Sequence, residues 1–333
     1  MNTLRSVLVI QTAFLGDVIL ATPIVSELKR LYPDVKIDIL IKKGNESLLV
    51  NNPFIREVLV LDKSRSKISE IWRLTKFFKK RKYDLTLNLH RFGSSGLIAG
   101  FSGAKEIYGF DKNPFAFLYS KRFKHEIGNG THEVTRNLSL LADFGAESHC
   151  RPSLFPSEVD KNIVAEYTNE KFVCLAPASV WFTKQLPEEK WVELIKSFPS
   201  ALKIYLVGGK TDDLLCQSII DKSGRKGQAQ NLAGQLTLLQ TAALFSKSDH
   251  VYVNDSGPLH ICSAMNAPTR AIFCSTQANF GFGPLSTDSK IIDYKEHLAC
   301  KPCGLHGKKE CPKEHFTCAL GIDINELSEC LTA

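Results

Sequence analysis

Strands that alternate with helices through both halves of the 333-residue chain predict an α/β fold of two doubly wound, Rossmann-like domains facing each other across a cleft. Three observations carry that expectation. Ser6 to Ile10 and His250 to Val253 are apolar runs without alternation, as strands buried on both faces are. The chain is longer than one hydrophobic core usually serves. Asp249 to Cys274 reads as strand, turn, helix and strand, with Asn254-Asp255-Ser256-Gly257-Pro258-Leu259-His260 where a strand's carboxyl end turns into a helix. That is where an open α/β sheet binds its ligands.

In the first half, Ser6 to Ile10 is the first strand and Gln11 to Gly16 a turn. Asp17 then heads a helix whose Ile19, Ile24, Leu28 and Leu31 share a face. Val35 to Ile41, Val58 to Leu61, Asp84 to Leu89 and Lys105 to Tyr108 are further strands. Between Lys63 and Lys82, helical spacing places Ile68, Ile71, Trp72, Thr75 and Phe78 inward and Lys76, Lys79 and Lys80 outward. Asp111 to Gly130 reads as irregular, and Thr131 to Phe144 as a helix. Arg151-Pro152 to Pro156 marks the boundary between domains 1–155 and 156–333. The second half gives strands at Phe172–Leu175 and Ile204–Val207, and helices at Trp191–Ser197, Asp212–Ile220 and Leu236–Phe245. The turn follows, then a short helix from Ile261 to Met265 and a strand from Thr269 to Phe273.

Hydrophobic content of 44% and charged content of 23% belong to an ordinary soluble globular chain. The net charge of +7 favours anionic partners. No run approaches the roughly 20 apolar residues of a membrane-spanning helix. The amino terminus enters a strand without an apolar region and cleavage site, so a cytoplasmic location is expected, with contact at the membrane surface left open.

Free amides and the helix dipole at the turn after His250–Val253 suit a phosphate, Gly257 admits close backbone approach, and Pro258 has no N–H to waste. The turn is therefore expected to hold a nucleotide diphosphate. Asp17, at a strand's carboxyl edge, is either a helix cap or a general base. Lys184 is either a surface lysine or the charge that neutralises a departing diphosphate. His90 ends a strand at the same edge and is either structural or part of the site. Nine Lys or Arg residues against Glu70 alone between Lys63 and Lys82, Arg65, Lys67 and Arg73 among them, form either a solvated face or a surface for an anionic acceptor or membrane. Gly208-Gly209 is not a dinucleotide fingerprint, and no Walker A motif is present. Cys300, Cys303, Cys311 and Cys318 could be a tetrahedral zinc set, free thiols or disulfides.

Phe14-Leu15-Gly16-Asp17-Val18-Ile19-Leu20-Ala21-Thr22-Pro23, followed by Asn254-Asp255-Ser256-Gly257-Pro258-Leu259-His260 and the Cys-x2-Cys tail, resembles the ADP-heptose:lipopolysaccharide heptosyltransferases of glycosyltransferase family 9. The resemblance implies a GT-B fold, with acceptor held by the first domain and sugar nucleotide by the second. It implies inverting transfer from ADP-heptose to an inner-core lipopolysaccharide acceptor, with no cofactor needed for catalysis beyond any structural zinc. On that alignment Asp17 is the base and Lys184 binds phosphate, while Asp255, Ser256, Gly257 and His260 form the diphosphate turn. Asp212 stands at the ribose and Leu236 at the adenine; His132, Arg136 and Asn137 match a recurrent pattern without an assigned role. Arg65, Lys67, Arg73 and His90 are the candidates for the anionic acceptor, and the inner membrane's cytoplasmic face the expected peripheral partner. Two other readings stand beside it: a family member with a different nucleotide sugar or acceptor, and a basic zinc-containing nucleic-acid binder. The second leaves the Asp17 and Asp255 turns unexplained, so no nucleic-acid partner is expected.

Overall fold

Val7, Leu8, Val9 and Ile10 are fully buried, which puts their strand at the centre of a sheet covered on both faces. In the computed structural model, which describes residues 4–329, the chain divides into two compact units, one through Phe155 and one from Pro156. The first contains β1 (Ser6–Gln11), α1 (Leu15–Ile19), α2 (Thr22–Leu31), β2 (Lys36–Lys42), β3 (Ile55–Leu61), α3 (Lys67–Arg81), β4 (Leu85–Asn88), α4 (Gly93–Gly100), β5 (Glu106–Phe110), β6 (Lys121–Phe123) and α5 (Glu133–Leu138). Its parallel sheet has the order β3-β2-β1-β4-β5-β6.

The second unit contains α6 (Glu158–Val164), β7 (Phe172–Ala176), α7 (Glu188–Ser197), β8 (Lys203–Leu206), α8 (Asp213–Ser223), β9 (Ala229–Asn231), α9 (Leu238–Phe245), β10 (His250–Asn254), α10 (Gly257–Met265), β11 (Thr269–Phe273), β12 (Ser289–Asp293), α11 (Thr317–Leu320) and α12 (Ile324–Ser328). The order of its parallel sheet is β12-β11-β10-β7-β8-β9. Both sheets are therefore doubly wound. Their strand order reverses between β1 and β4 in one and between β7 and β10 in the other, the switch points where such sheets take ligands.

Several expectations are corrected. The helix at Asp17 begins at Leu15, with Phe14 as N-cap, so Asp17 lies inside the first turn. Helix α10 starts at Gly257 rather than Ile261, with Pro258 in its first turn. Strands β6, β9 and β12 went unpredicted because they are short and polar, and β6 lies within the stretch read as irregular. Helix α3 is rotated from its expected phase: Glu70, Leu74, Thr75 and Phe78 are buried, while Ile68 and Trp72 are exposed. Glu70 goes inward because its carboxylate accepts from the Asp62 amide at 3.1 Å and is held by Arg73. A satisfied carboxylate can occupy an apolar face.

One polar knot ties the first sheet together. Asp38 of β2 is fully buried, receives Arg56 of β3 at 2.8 and 2.5 Å, and receives the Tyr83 hydroxyl at 2.6 Å. Burial and the hydrogen bond to Asp38 hold the Tyr83 phenol well above its ordinary pKa. Removing one partner would leave a guanidinium and a hydroxyl without their acceptor. Asp38→Ala is expected to destabilise the first unit by roughly 3–5 kcal/mol, read as a lower urea midpoint for its unfolding at unchanged slope.

Candidate active site

At the first switch point, β1 runs into Thr12-Ala13-Phe14 and α1. Asp17 accepts a hydrogen bond from the Phe14 amide at 3.2 Å. Its pKa is raised to about 7, by burial first and then by Glu133, against the pull of the Phe14 and Asp17 amides and Arg91. Although the residue keeps intermediate exposure, its carboxyl is closely surrounded. The group is thus poised to hold or release a proton near neutrality, which suits a general base.

His90 follows β4 across the same switch point and is buried. Its Nδ1 bonds the Thr12 hydroxyl at 2.9 Å, and burial, Lys63 and Arg91 push its pKa down to about 4. Burial, with Arg91 and Arg136, does the same to His125. Both imidazoles are therefore neutral near pH 7, leaving Asp17 as the poised group. Lys63 donates to the Thr12 carbonyl at 3.1 Å, and partial burial and Lys42 lower its pKa.

Lys63 and Arg91 had no assigned role in the sequence, yet they bring positive charge to the Asp17 and His90 loops. The signal for Arg91 was its place beside His90; for Lys63 it was hidden in the basic run. The other candidates in that run are less available. Arg73 is engaged by Glu70 and the Val60 carbonyl, and Arg65 leans towards Asp62 at 3.7 Å. Lys67 is exposed at the start of α3.

His132, Arg136 and Asn137 are each engaged by neighbouring groups. His132 caps α5 by accepting from the Val134 amide, Arg136 pairs with buried Glu133, and Asn137 donates to the Leu20 carbonyl at 3.2 Å. That last bond anchors the end of the short helix carrying Asp17.

At the second switch point, the loop after β7 carries Lys184 and the turn after β10 carries Asp255. Their ammonium and carboxylate are 2.6 Å apart and nearly buried, and Asp255 also accepts from Thr276 at 2.6 Å. Asn254, fully buried, accepts from the Leu186 amide at 3.0 Å and donates to the Pro177 carbonyl at 2.7 Å. It thereby pins both ends of the lysine loop. The sequence contained Asn254 within the motif but gave no sign of this pairing.

Ser256, the N-cap of α10, turns its hydroxyl to the Asn254 carbonyl, so no side chain caps the helix and its first amides can meet an anion. Asp255 itself would repel a phosphate; what it can do is orient Lys184. His260, in the first turns of α10, is buried with Phe282 edge-on to its ring. Asp212 uses its carboxylate locally, accepting from the Gly209 amide at 2.7 Å. Leu236 is partly exposed ahead of α9.

The cysteine segment braces the lysine loop. Buried Thr183 donates its amide to the Lys308 carbonyl, and its hydroxyl meets the Lys308 amide at 2.8 Å and the Ser275 hydroxyl at 3.0 Å. The Cys303 amide bonds the Ser275 carbonyl, and Phe316 stacks on Phe182. The described cysteines are free thiols. Among the described residues no group of three or more His, Cys, Asp or Glu is assembled for a metal ion. Cys303 instead turns its thiol to the Cys300 carbonyl, Cys300 meets His315 at 3.6 Å, and Cys318 is buried.

Two doubly wound units, each with its parallel sheet reversing at a switch point, make up the GT-B fold. The chain belongs to glycosyltransferase family 9 (heptosyltransferase), whose profile matches residues 71–315. Lipopolysaccharide heptosyltransferase 3 of Escherichia coli is 28% identical over 281 residues, covering 80% of this chain and 83% of that protein. Lipooligosaccharide heptosyltransferase 2 of Campylobacter jejuni is 23% identical over 320 residues, covering 95% of this chain and 94% of that protein. Among solved structures, Escherichia coli ADP-heptose lps heptosyltransferase II has a TM-score of 0.78 at 21% identity, covering 98% of this chain and 99% of its own. Escherichia coli heptosyltransferase WaaC with ADP has a TM-score of 0.70 at 17% identity, covering 86% and 92%.

Gly307 has φ +76°, and a Cβ there would lie 2.8 Å from Lys184 Cγ and 3.1 Å from Trp181 Cβ. Gly307→Ala should therefore displace Lys184 and lower glycosyl-transfer turnover by roughly 10- to 100-fold. Steady-state kinetics checks this on protein shown by a melting curve to be folded, some loss of melting temperature being expected from the left-handed backbone at Gly307.

Proposed function

We propose that this family 9 enzyme transfers heptose from ADP-heptose to an anionic inner-core lipopolysaccharide precursor, with inversion at the anomeric carbon. The first unit holds the acceptor and the second the nucleotide sugar. Asp17 takes the proton from an acceptor hydroxyl as that oxygen attacks the anomeric carbon. The bond to the diphosphate breaks on the opposite face, and Lys184 with the α10 amides receives the departing ADP. Asp255 and Asn254 keep Lys184 in place for that moment, while Lys63 and Arg91 draw the anionic acceptor towards Asp17. Asp212 and Leu236 are assigned to the ribose and the adenine. No step is routed through a metal, since lysine and helix amides supply the positive charge. Donor and acceptor classes are taken from the relatives, whose names state lipopolysaccharide heptose transfer. A lipid-anchored acceptor places the enzyme at the cytoplasmic face of the inner membrane as a peripheral protein; no helix among the described residues is long and apolar enough to cross it.

The observation that carries this proposal is Asp17, a carboxylate at the first switch point whose pKa is raised to about 7. Asp17→Asn should lower kcat by roughly 10²- to 10⁴-fold and leave the dissociation constant for ADP unchanged; near-normal turnover would remove the base assignment. In the wild type, kcat/KM should rise with pH and level off above about 7 as Asp17 loses its proton. Stability should move oppositely. A folded-state pKa above the unfolded value gives stability that is complete below the unfolded value near 3.8 and lost as pH rises through about 7. The Asn variant should therefore lose less melting temperature than the wild type between pH 5 and 8, read by thermal denaturation.

A further inference from the structure

Ile68 and Trp72 of α3 were expected in the core, and the structure turns them to solvent, in line with Lys76 and Lys79. Ile68 is 82% exposed and Trp72 64% exposed. With Lys76 and Lys79 they follow one another at spacings of four, four and three, which on a helix is a single stripe. The Lys76 ammonium lies 4.9 Å over the Trp72 ring, and Lys80 is exposed beside it. Arg73 is turned away onto Glu70.

Lys79 also packs on Gly103, whose added Cβ would lie 3.0 Å from Lys79 Cγ. That glycine belongs to the loop after α4, where Phe101 is exposed. Helix α4 packs in turn beside the turn at Ala116–Leu118, where Phe117 is exposed. On α3 itself, exposed Ile68 and Trp72 thus continue into a line of exposed lysines.

We propose that this strip is a docking surface for an anionic phospholipid bilayer. Trp72 and Ile68 would enter the interfacial layer, and Lys76, Lys79 and Lys80 would meet lipid phosphates. Tryptophan favours the headgroup level, where one end of the ring is apolar and the other wet. Lysines on such a face add attraction to anionic lipid. Exposed apolar residues continued by a line of lysines call for an apolar surface edged with negative charge, which an anionic bilayer presents. The proposal deepens the transferase reading, which supplies a lipid-anchored acceptor.

The test is flotation of the full chain with vesicles of phosphatidylglycerol and phosphatidylethanolamine, and with phosphatidylcholine vesicles alone. Wild type should float with the anionic vesicles, with binding falling as salt rises. The Ile68→Ser/Trp72→Ser variant and the Lys76→Glu/Lys79→Glu variant should each bind at least tenfold more weakly. Leu214→Ser, at an equally exposed apolar residue of the second unit, should bind as the wild type does. Equal binding to neutral vesicles, or undiminished binding by the Ile68/Trp72 variant, overturns the proposal. So does a dimer that dissociates in that variant without any vesicle binding, which would assign the strip to a second copy of the chain. On a short, lipid-free core saccharide the Ile68/Trp72 variant should keep wild-type turnover. A wild type that floats but transfers no heptose contradicts the transferase reading instead, so the two failures are distinguishable.

Discussion

The ion pair between Lys184 and Asp255 is the interaction around which the second unit's site is arranged. Both groups are nearly buried, and a buried charge is tolerable only with its partner and its hydrogen bonds in place. Thr276 supplies one of those bonds, Asn254 fixes the ends of the lysine loop, and Thr183 with the segment through Lys308 closes over its back. These contacts join the loop after β7, the turns after β10 and β11, and the cysteine segment. Lys184 is therefore placed by tertiary structure, and its direction does not depend on its own flexible stem. Such placement suits the role proposed for Lys184 at a departing diphosphate, because a preorganised group needs no reorganisation at the moment of reaction.

The first unit solves a complementary problem. The base proposed for it is a carboxylate reluctant to stay ionised, and burial beside Glu133 makes Asp17 so. Glu133 is held by Arg136 on α5, and Asn137 of the same helix bonds the end of α1. One short helix thus contributes both to the electrostatics and to the placement of Asp17. The cost falls on stability as pH rises through about 7, because the same surroundings disfavour the ionised form.

What could be read from the sequence follows from how local each signal is. Strands β1, β7 and β10 declare themselves through unbroken apolar runs. Asp17, Lys184 and Asp255 could be selected because each follows such a strand. Their partners could not: Asn254 holding the Lys184 loop, and Thr183 meeting Lys308, are contacts between segments far apart in the chain. The face of α3 was misread because a buried Glu70, satisfied by Arg73 and the Asp62 amide, contradicts hydrophobic periodicity. The start of α1 was misread because Phe14, with no capping side chain, holds the N-cap position. Spacing left the terminal cysteines open between zinc, free thiols and disulfides, because spacing does not say where thiols point.

The central claim is that the second switch point binds a nucleoside diphosphate through Lys184, and calorimetric titration with ADP tests it most directly. Wild type should bind ADP in preference to UDP, and Lys184→Ala should bind ADP at least about tenfold more weakly while remaining folded, the loss of one charge-assisted contact being worth roughly 1.5–3 kcal/mol. ADP affinity unchanged in that variant would contradict the account and move the nucleotide away from the turn that Asp255 begins.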